Sequence, residues 1–194
     1  RSDVLPPSLD STVKLLFCGV SYQNKGGPIA RHALVELLSM GIDAELTILG
    51  CVPPESERHP NMTVIPFLDK SIPAQREEFE RVWRRANIFI LPTRFEAAGL
   101  VFAEASAHAI PSFAPNTGGI AAMVRDGING YLLPYDAGGR EYARAIATLI
   151  GDRDAYFAMC EASRNEFDTR LNWDVWGRTM ANEINQLLGR SQPL

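Results

Sequence analysis

The chain has 194 residues, 46% of them hydrophobic and 22% charged, with a formal net charge of -4. That length fits one domain with a sizeable core, the composition is globular rather than disordered, and the acidic balance gives no general pull toward nucleic acid or acidic membranes. Cys18, Cys51 and Cys160 are far apart, odd in number and without a Cys-x-x-Cys pair, which argues against a disulfide framework or a structural zinc and for a cytoplasmic protein.

No apolar run reaches the ~20 residues of a spanning helix, and no signal peptide is visible. The chain opens at Arg1-Ser2 without a methionine, as an excised fragment would. Residues 1–11 contain prolines and serines and suggest a linker or tail. A short apolar run over 13–17 predicts a strand buried on both faces. Ile29, Ala33, Leu37 and Leu38 then fall at helical spacing, with Gly41 as a stop. Strands are expected over 44–49, 62–67, 87–91, 111–114 and 131–133. Helices are expected over 74–86, 100–108 and 120–125, and three more close the chain near 140–150, 154–167 and 173–188. Asn172 is a candidate N-cap for the last of these. Its stripe of Trp173, Trp176, Met180, Ile184 and Leu187 is accounted for mostly by core packing, and its tryptophans could also cover a neighbouring domain.

Strands alternating with helices imply βαβ units, hence an α/β, doubly wound, Rossmann-like parallel sheet running from residue 12 to 194. In such a fold ligands sit outside the carboxyl ends of the strands. The first loop at such an end is Gly19-Val20-Ser21-Tyr22-Gln23-Asn24-Lys25-Gly26-Gly27. Glycines let backbone amides approach an anion and Lys25 adds a charge. The loop is neither Gly-x-Gly-x-x-Gly nor a P-loop, and taken alone it is an ordinary turn with a solvated lysine.

The second element is Glu96-Ala97-Ala98-Gly99-Leu100-Val101-Phe102-Ala103-Glu104, after the fourth strand. A helix N-terminus at Gly99 suits a diphosphate. Eight residues of helix span roughly 12 Å and return the two carboxylates to one side. Glutamates accept sugar hydroxyls well. Thr117-Gly118-Gly119 offers either a further anion or sugar contact or a plain helix-entry turn. His108, read as a lone histidine without a carboxylate or thiol partner, is expected to be structural, and Arg81-Val82-Trp83-Arg84-Arg85 to be a solvated helix face.

In order and approximate spacing, Lys25-Gly26, Leu91-Pro92-Thr93, the Glu96–Glu104 element, Gly118-Gly119 and Asp126-Gly127-x-Asn129-Gly130 resemble the carboxy-terminal half of the retaining GT4 family of glycosyltransferases, which have the GT-B fold. The resemblance implies a nucleotide diphosphate sugar as donor, an acceptor hydroxyl, retention at the anomeric carbon, and neither metal nor other cofactor. Carried onto this chain, it makes Lys25 and Glu96 the residues of the transfer step. Lys25 would pair with phosphate beside Gly19 and Gly26, and the backbone of Gly99, Leu100 and Val101 would cap the diphosphate. Glu96 would hold donor-sugar hydroxyls, Glu104 the ribose, and Phe67 and Leu68 would lie along the base. An amino-terminal acceptor domain is the implied partner, and peripheral contact with the inner face of the membrane is open to the whole protein. The chain departs from the family at Val20, usually Arg, at Ala97-Ala98, at His108-Ala109-Ile110-Pro111, and near Ala122, where an acidic residue is usual. Half of the usual phosphate clamp is therefore absent unless Arg94 or another cation replaces it.

Three other readings start from the same residues. Two carboxylates suggest a glycosidase pair, but these would address opposite ends of a ligand. A GT-B-fold epimerase or phosphorylase would keep the donor site. A non-catalytic, protein-binding Rossmann-like module would fit the Val20 and Ala122 departures.

Overall fold

A computed structural model describes residues 7–9 and 11–189. The strands β1 (Val13–Cys18), β2 (Ala44–Leu49), β3 (Met62–Ile65), β4 (Ile88–Ile90), β5 (Ser112–Pro115) and β6 (Gly130–Leu133) form one sheet in the order β3-β2-β1-β4-β5-β6. Every pairing is parallel. Leu15, Leu16 and Phe17, consecutive in β1, are all buried, as are Ile88, Phe89 and Ile90 in β4. Successive strand residues face opposite ways, so this sheet is covered on both faces. β3 stops two residues short of the expected 67, because Pro66 has no N–H to continue the ladder.

The helices are α1 (Gly27–Ser39), α2 (Pro73–Arg85), α3 (Leu100–Ala107), α4 (Ile120–Met123), α5 (Gly139–Gly151), α6 (Arg153–Glu166) and α7 (Trp173–Leu187). Trp83 and Phe79 of α2 pack with Phe89 of β4 in a tilted aromatic stack. Asp152 caps α6 by accepting from the Ala155 N–H at 3.0 Å. Asn172 caps α7 as expected, accepting from the Val175 N–H at 2.9 Å. A π turn over Phe167–Leu171, unforeseen from sequence, joins α6 to α7.

Two expectations need revision. The lead over residues 1–11 lies mostly outside the described residues, yet its described part is attached: Leu9 is buried, and its carbonyl accepts from Arg153 at 3.0 Å. The apolar stripe of α7 is not core. Trp173 is 69% and Trp176 57% exposed, and no residue of the helix is buried. The periodicity identified an apolar face correctly, but nothing within the described residues covers it.

The order of strands reverses between β1 and β4, and their carboxyl ends open side by side. Sequential crossovers leave to either side there, so the loops diverge and leave a crevice.

Candidate functional site

The crevice walls are fixed by close backbone approaches. Gly26 caps α1 with a left-handed φ of 79°, and a Cβ there would stand 2.0 Å from the Pro92 carbonyl oxygen. Only glycine lets the loop after β1 lie against the loop after β4. Thr93, fully buried, joins the same two loops: its hydroxyl donates to the Phe95 carbonyl at 2.8 Å, with the Asn24 carbonyl also within reach at 3.3 Å.

These approaches bring Lys25 to Glu96. The ammonium lies 2.6 Å from Glu96 Oε2, the side chains being 26% and 15% exposed. Glu96 Oε1 accepts from the Gly99 N–H at 3.2 Å, so the carboxylate also closes the entry to α3. The helix starts only at Leu100, after Gly99 at a φ of 66°. Glu96 is therefore in the preceding loop, and the geometry expected from eight continuous helical residues does not apply. Glu104 alone is on α3, where its Oε1 accepts from Lys70 Nζ at 2.8 Å.

A cavity of about 350 Å³ opens between these pairs, at the carboxyl ends of β1, β2 and β4. Gly19, Lys25, Phe67, Leu68, Glu96, Gly99, Leu100, Val101 and Glu104 all line it. Gly26 does not, because it supports the loop from behind. Cys18 is half-buried at the end of β1 and forms part of the cavity wall. Burial, with the Glu104 charge second, pushes its thiol up to about 12. Leu49, Gly50, Phe79 and Leu91 complete the inner wall, while Val20, 73% exposed, stands at the rim.

Lys70 is the charged lining residue that the sequence reading missed. It follows the 66–68 segment at the carboxyl end of β3, where the rule that marked Lys25 would have marked it too. Arg94, considered as a replacement phosphate cation, is turned away. Its guanidinium lies 3.5 Å from the Ala137 carbonyl and 5.1 Å from the Tyr135 ring centroid.

The Gly118-Gly119 pair supports the site and does not line it. The Gly119 N–H donates to the Glu96 carbonyl at 3.1 Å, and a Cβ on Gly118 would stand 2.1 Å from that oxygen. The Asp126–Gly130 turn is likewise structural, exposed at Asp126, Gly127 and Ile128 and anchored at Asn129. Asn129 is fully buried, accepts from the Arg125 N–H at 2.7 Å and donates to the Met123 carbonyl at 3.0 Å.

His108 does have a carboxylate partner: Glu80 lies 3.4 Å from its Nε2, and its ring stacks on Trp83 at 5.7 Å. Burial lowers its pKa, partly opposed by Glu80. Glu80 is on α2, far away in sequence, so only the fold reveals the pair. Val82 and Trp83 turn inward while Arg81 pairs with Glu78, as a solvated helix face requires. Among the described residues, no group of three or more His, Cys, Asp or Glu is placed to hold a metal, and no helix is long and apolar enough to cross a membrane.

The family described as "Glycosyl transferases group 1" matches residues 12–152. A D-inositol 3-phosphate glycosyltransferase of Corynebacterium kroppenstedtii is 28% identical over 185 residues, which cover 90% of this chain and 40% of that protein. The chain thus spans about two fifths of that relative's length. Anabaena HepE, solved in complex with UDP-glucose, superposes with a TM-score of 0.70 at 16% identity, over 90% of this chain and 49% of its own. The C-terminal domain of a Francisella tularensis group 1 glycosyl transferase, LpcC, superposes with a TM-score of 0.66 at 17% identity, over 88% of this chain and 97% of its own. These two likenesses show a shared fold. With the family matched over most of its length, the chain belongs to the group 1 glycosyl transferases.

Proposed function

We propose that this chain is the donor-binding part of a retaining glycosyltransferase, taking a sugar from a nucleotide diphosphate to an acceptor hydroxyl. The observation that carries this reading is a single cavity at the switch point. It gathers Lys25, Glu96, Glu104, the first amides of α3 and the 67–68 segment. That HepE is known in complex with UDP-glucose supports a donor of this class. Neither the epimerase nor the interaction-module alternative gains an observation of its own.

In this reading the diphosphate meets the amides of Gly99, Leu100 and Val101 and the ammonium of Lys25. As the bond between anomeric carbon and phosphate oxygen breaks, negative charge grows on the leaving diphosphate, and these groups stabilise it. The acceptor oxygen bonds to the anomeric carbon on the face that the diphosphate left, and its proton passes to the departing diphosphate oxygen. Glu96 orients the donor sugar through its hydroxyls and Glu104 holds the ribose. The reaction calls for no resident cofactor or metal in this scheme.

The acceptor wall would come from an amino-terminal domain of the whole protein, with residues 12–194 as the donor unit. The share of the relative that this chain spans supports such a partner, as does the uncovered Trp173–Trp176 face of α7. A cytoplasmic location, peripheral to the inner face of the membrane, belongs to the same proposal.

Calorimetric titration with UDP, GDP and ADP, each with and without an attached sugar, tests this. Saturable binding of one base, weakened in Lys25→Ala and in Glu104→Ala, is expected. Equal binding by parent and both variants would show that the site is elsewhere.

A further inference from the structure

We infer that Lys70 is the second cation of the diphosphate site, beside Lys25. The inference rests on the donor-site reading above and adds to it a residue that no sequence motif marks.

The starting point is the charge inventory of the cavity. Among the described residues, its charged lining consists of Lys25, Lys70, Glu96 and Glu104. These form two neutral pairs, Lys25–Glu96 at 2.6 Å and Lys70–Glu104 at 2.8 Å. A diphosphate carries at least two negative charges, and a cavity with both lysines neutralised offers it only backbone dipoles. Favourable entry therefore requires lysines to exchange carboxylate for phosphate.

Lys70 can make that exchange. Its pair with Glu104 is a single contact between side chains 52% and 37% exposed, the class of ion pair that contributes little. A charge-assisted bond to phosphate is stronger. The carboxylate so released turns to the ribose hydroxyls, just as Glu96, released by Lys25, turns to the donor sugar. One ligand thus satisfies four groups that satisfy each other in its absence.

The base of Lys70 is also built rather than loose. Its carbonyl accepts from Arg76 Nε at 2.7 Å, and the preceding Asp69 N–H donates to Gln75 Oε1 at 2.7 Å. Asp69 Oδ1 in turn accepts from the Ser71 N–H and hydroxyl. These contacts clamp the turn onto the start of α2. Its Nζ lies over the Phe79 ring, 4.4 Å from the centroid. Lys70 lines the same cavity as Cys18, Gly19 and Val20 at the end of β1. The other candidate, Arg94, is committed to Ala137 and Tyr135.

A double-mutant cycle separates phosphate contact from mere positioning of Glu104. Lys70→Ala, Lys70→Arg, Glu104→Ala and Lys70→Ala/Glu104→Ala are titrated with UDP, GDP and ADP, after circular dichroism confirms folding. For the diphosphate that binds the parent, Lys70→Ala is expected to weaken binding roughly tenfold, as for one charged hydrogen bond. The loss should persist in the Glu104→Ala background, and Lys70→Arg should restore most of it. If the loss vanishes once Glu104 is gone, Lys70 is a positioning residue and the inference is overturned. It is equally overturned if Lys70→Ala binds like the parent. Failure of the parent to bind any of the three diphosphates defeats the donor-site reading itself.

Discussion

Glu96→Gln should uncouple the two halves of the donor. Glu96 binds Lys25 at 2.6 Å, in a pair that is largely but not fully screened from water. Pairs in this intermediate setting contribute about 1 kcal/mol. A bare nucleoside diphosphate must break that pair to claim Lys25 and gains nothing from the freed carboxylate. Replacing the carboxylate by an amide removes the obstacle, so the bare diphosphate should bind about fivefold more tightly. The sugar-bearing donor gains the same increment but loses a carboxylate–hydroxyl bond, also about 1–3 kcal/mol. Its affinity should stay level or fall, so the ratio of the two dissociation constants should move roughly tenfold toward the bare diphosphate. Glutamine keeps an oxygen for the Gly99 N–H, so the start of α3 survives the change. Calorimetry with UDP, GDP or ADP beside the corresponding glucose-bearing donor reads the ratio directly. Equal shifts for both ligands, or a weakened bare diphosphate, would refute the exchange of partners.

Gly118→Ala should destabilise the chain by roughly 2 kcal/mol or more in urea unfolding, because a left-handed φ of 53° adds to a Cβ 2.1 Å from the Glu96 carbonyl. Gly127→Ala, at a φ of 72° but facing open space, should cost only about 1 kcal/mol. Trp173→Ser and Trp176→Ser should each leave the stability of this chain within about 0.5 kcal/mol, since both side chains are exposed; a large loss would mean that α7 is packed in solution. Burial depresses the His108 pKa below 6.5, so the folded chain binds fewer protons there than the unfolded one. That stability is present above pH 6.5 and falls as the pH drops below it, and His108→Gln should flatten this acid limb in unfolding titrations at pH 5.5 and 7.5.

The sheet was legible because its strands are short apolar runs punctuated by glycine and proline, and a parallel sheet buries such runs whole. The cavity was legible because a doubly wound fold assigns ligands to strand carboxyl ends, where Lys25, Glu96 and Glu104 lie in the sequence. What failed did so for local reasons. Gly99 breaks the continuity that a spacing argument assumed, so Glu96 is a loop residue. Gly118 and Gly119 were compatible with an anion contact, and only the carbonyls of Glu96 and Ala97 against them show a packing role. The His108–Glu80 and Lys70–Glu104 pairs join elements that sequence distance conceals.

The arrangement also narrows where donor choice can reside. Glycines at 26, 118 and 119 press backbone against backbone behind the cavity and so fix the loops that carry Lys25 and Glu96. Amides and lysines read phosphate, which every nucleotide donor shares. The two lysines therefore serve affinity for the class more than selection within it. Selection of the base falls to the 67–70 segment, whose Asp69–Ser71 turn is clamped to α2 and hence presents a fixed edge. Substitutions at Phe67 and Leu68 should accordingly change which diphosphate binds, while those at Lys25 and Lys70 should weaken all of them alike.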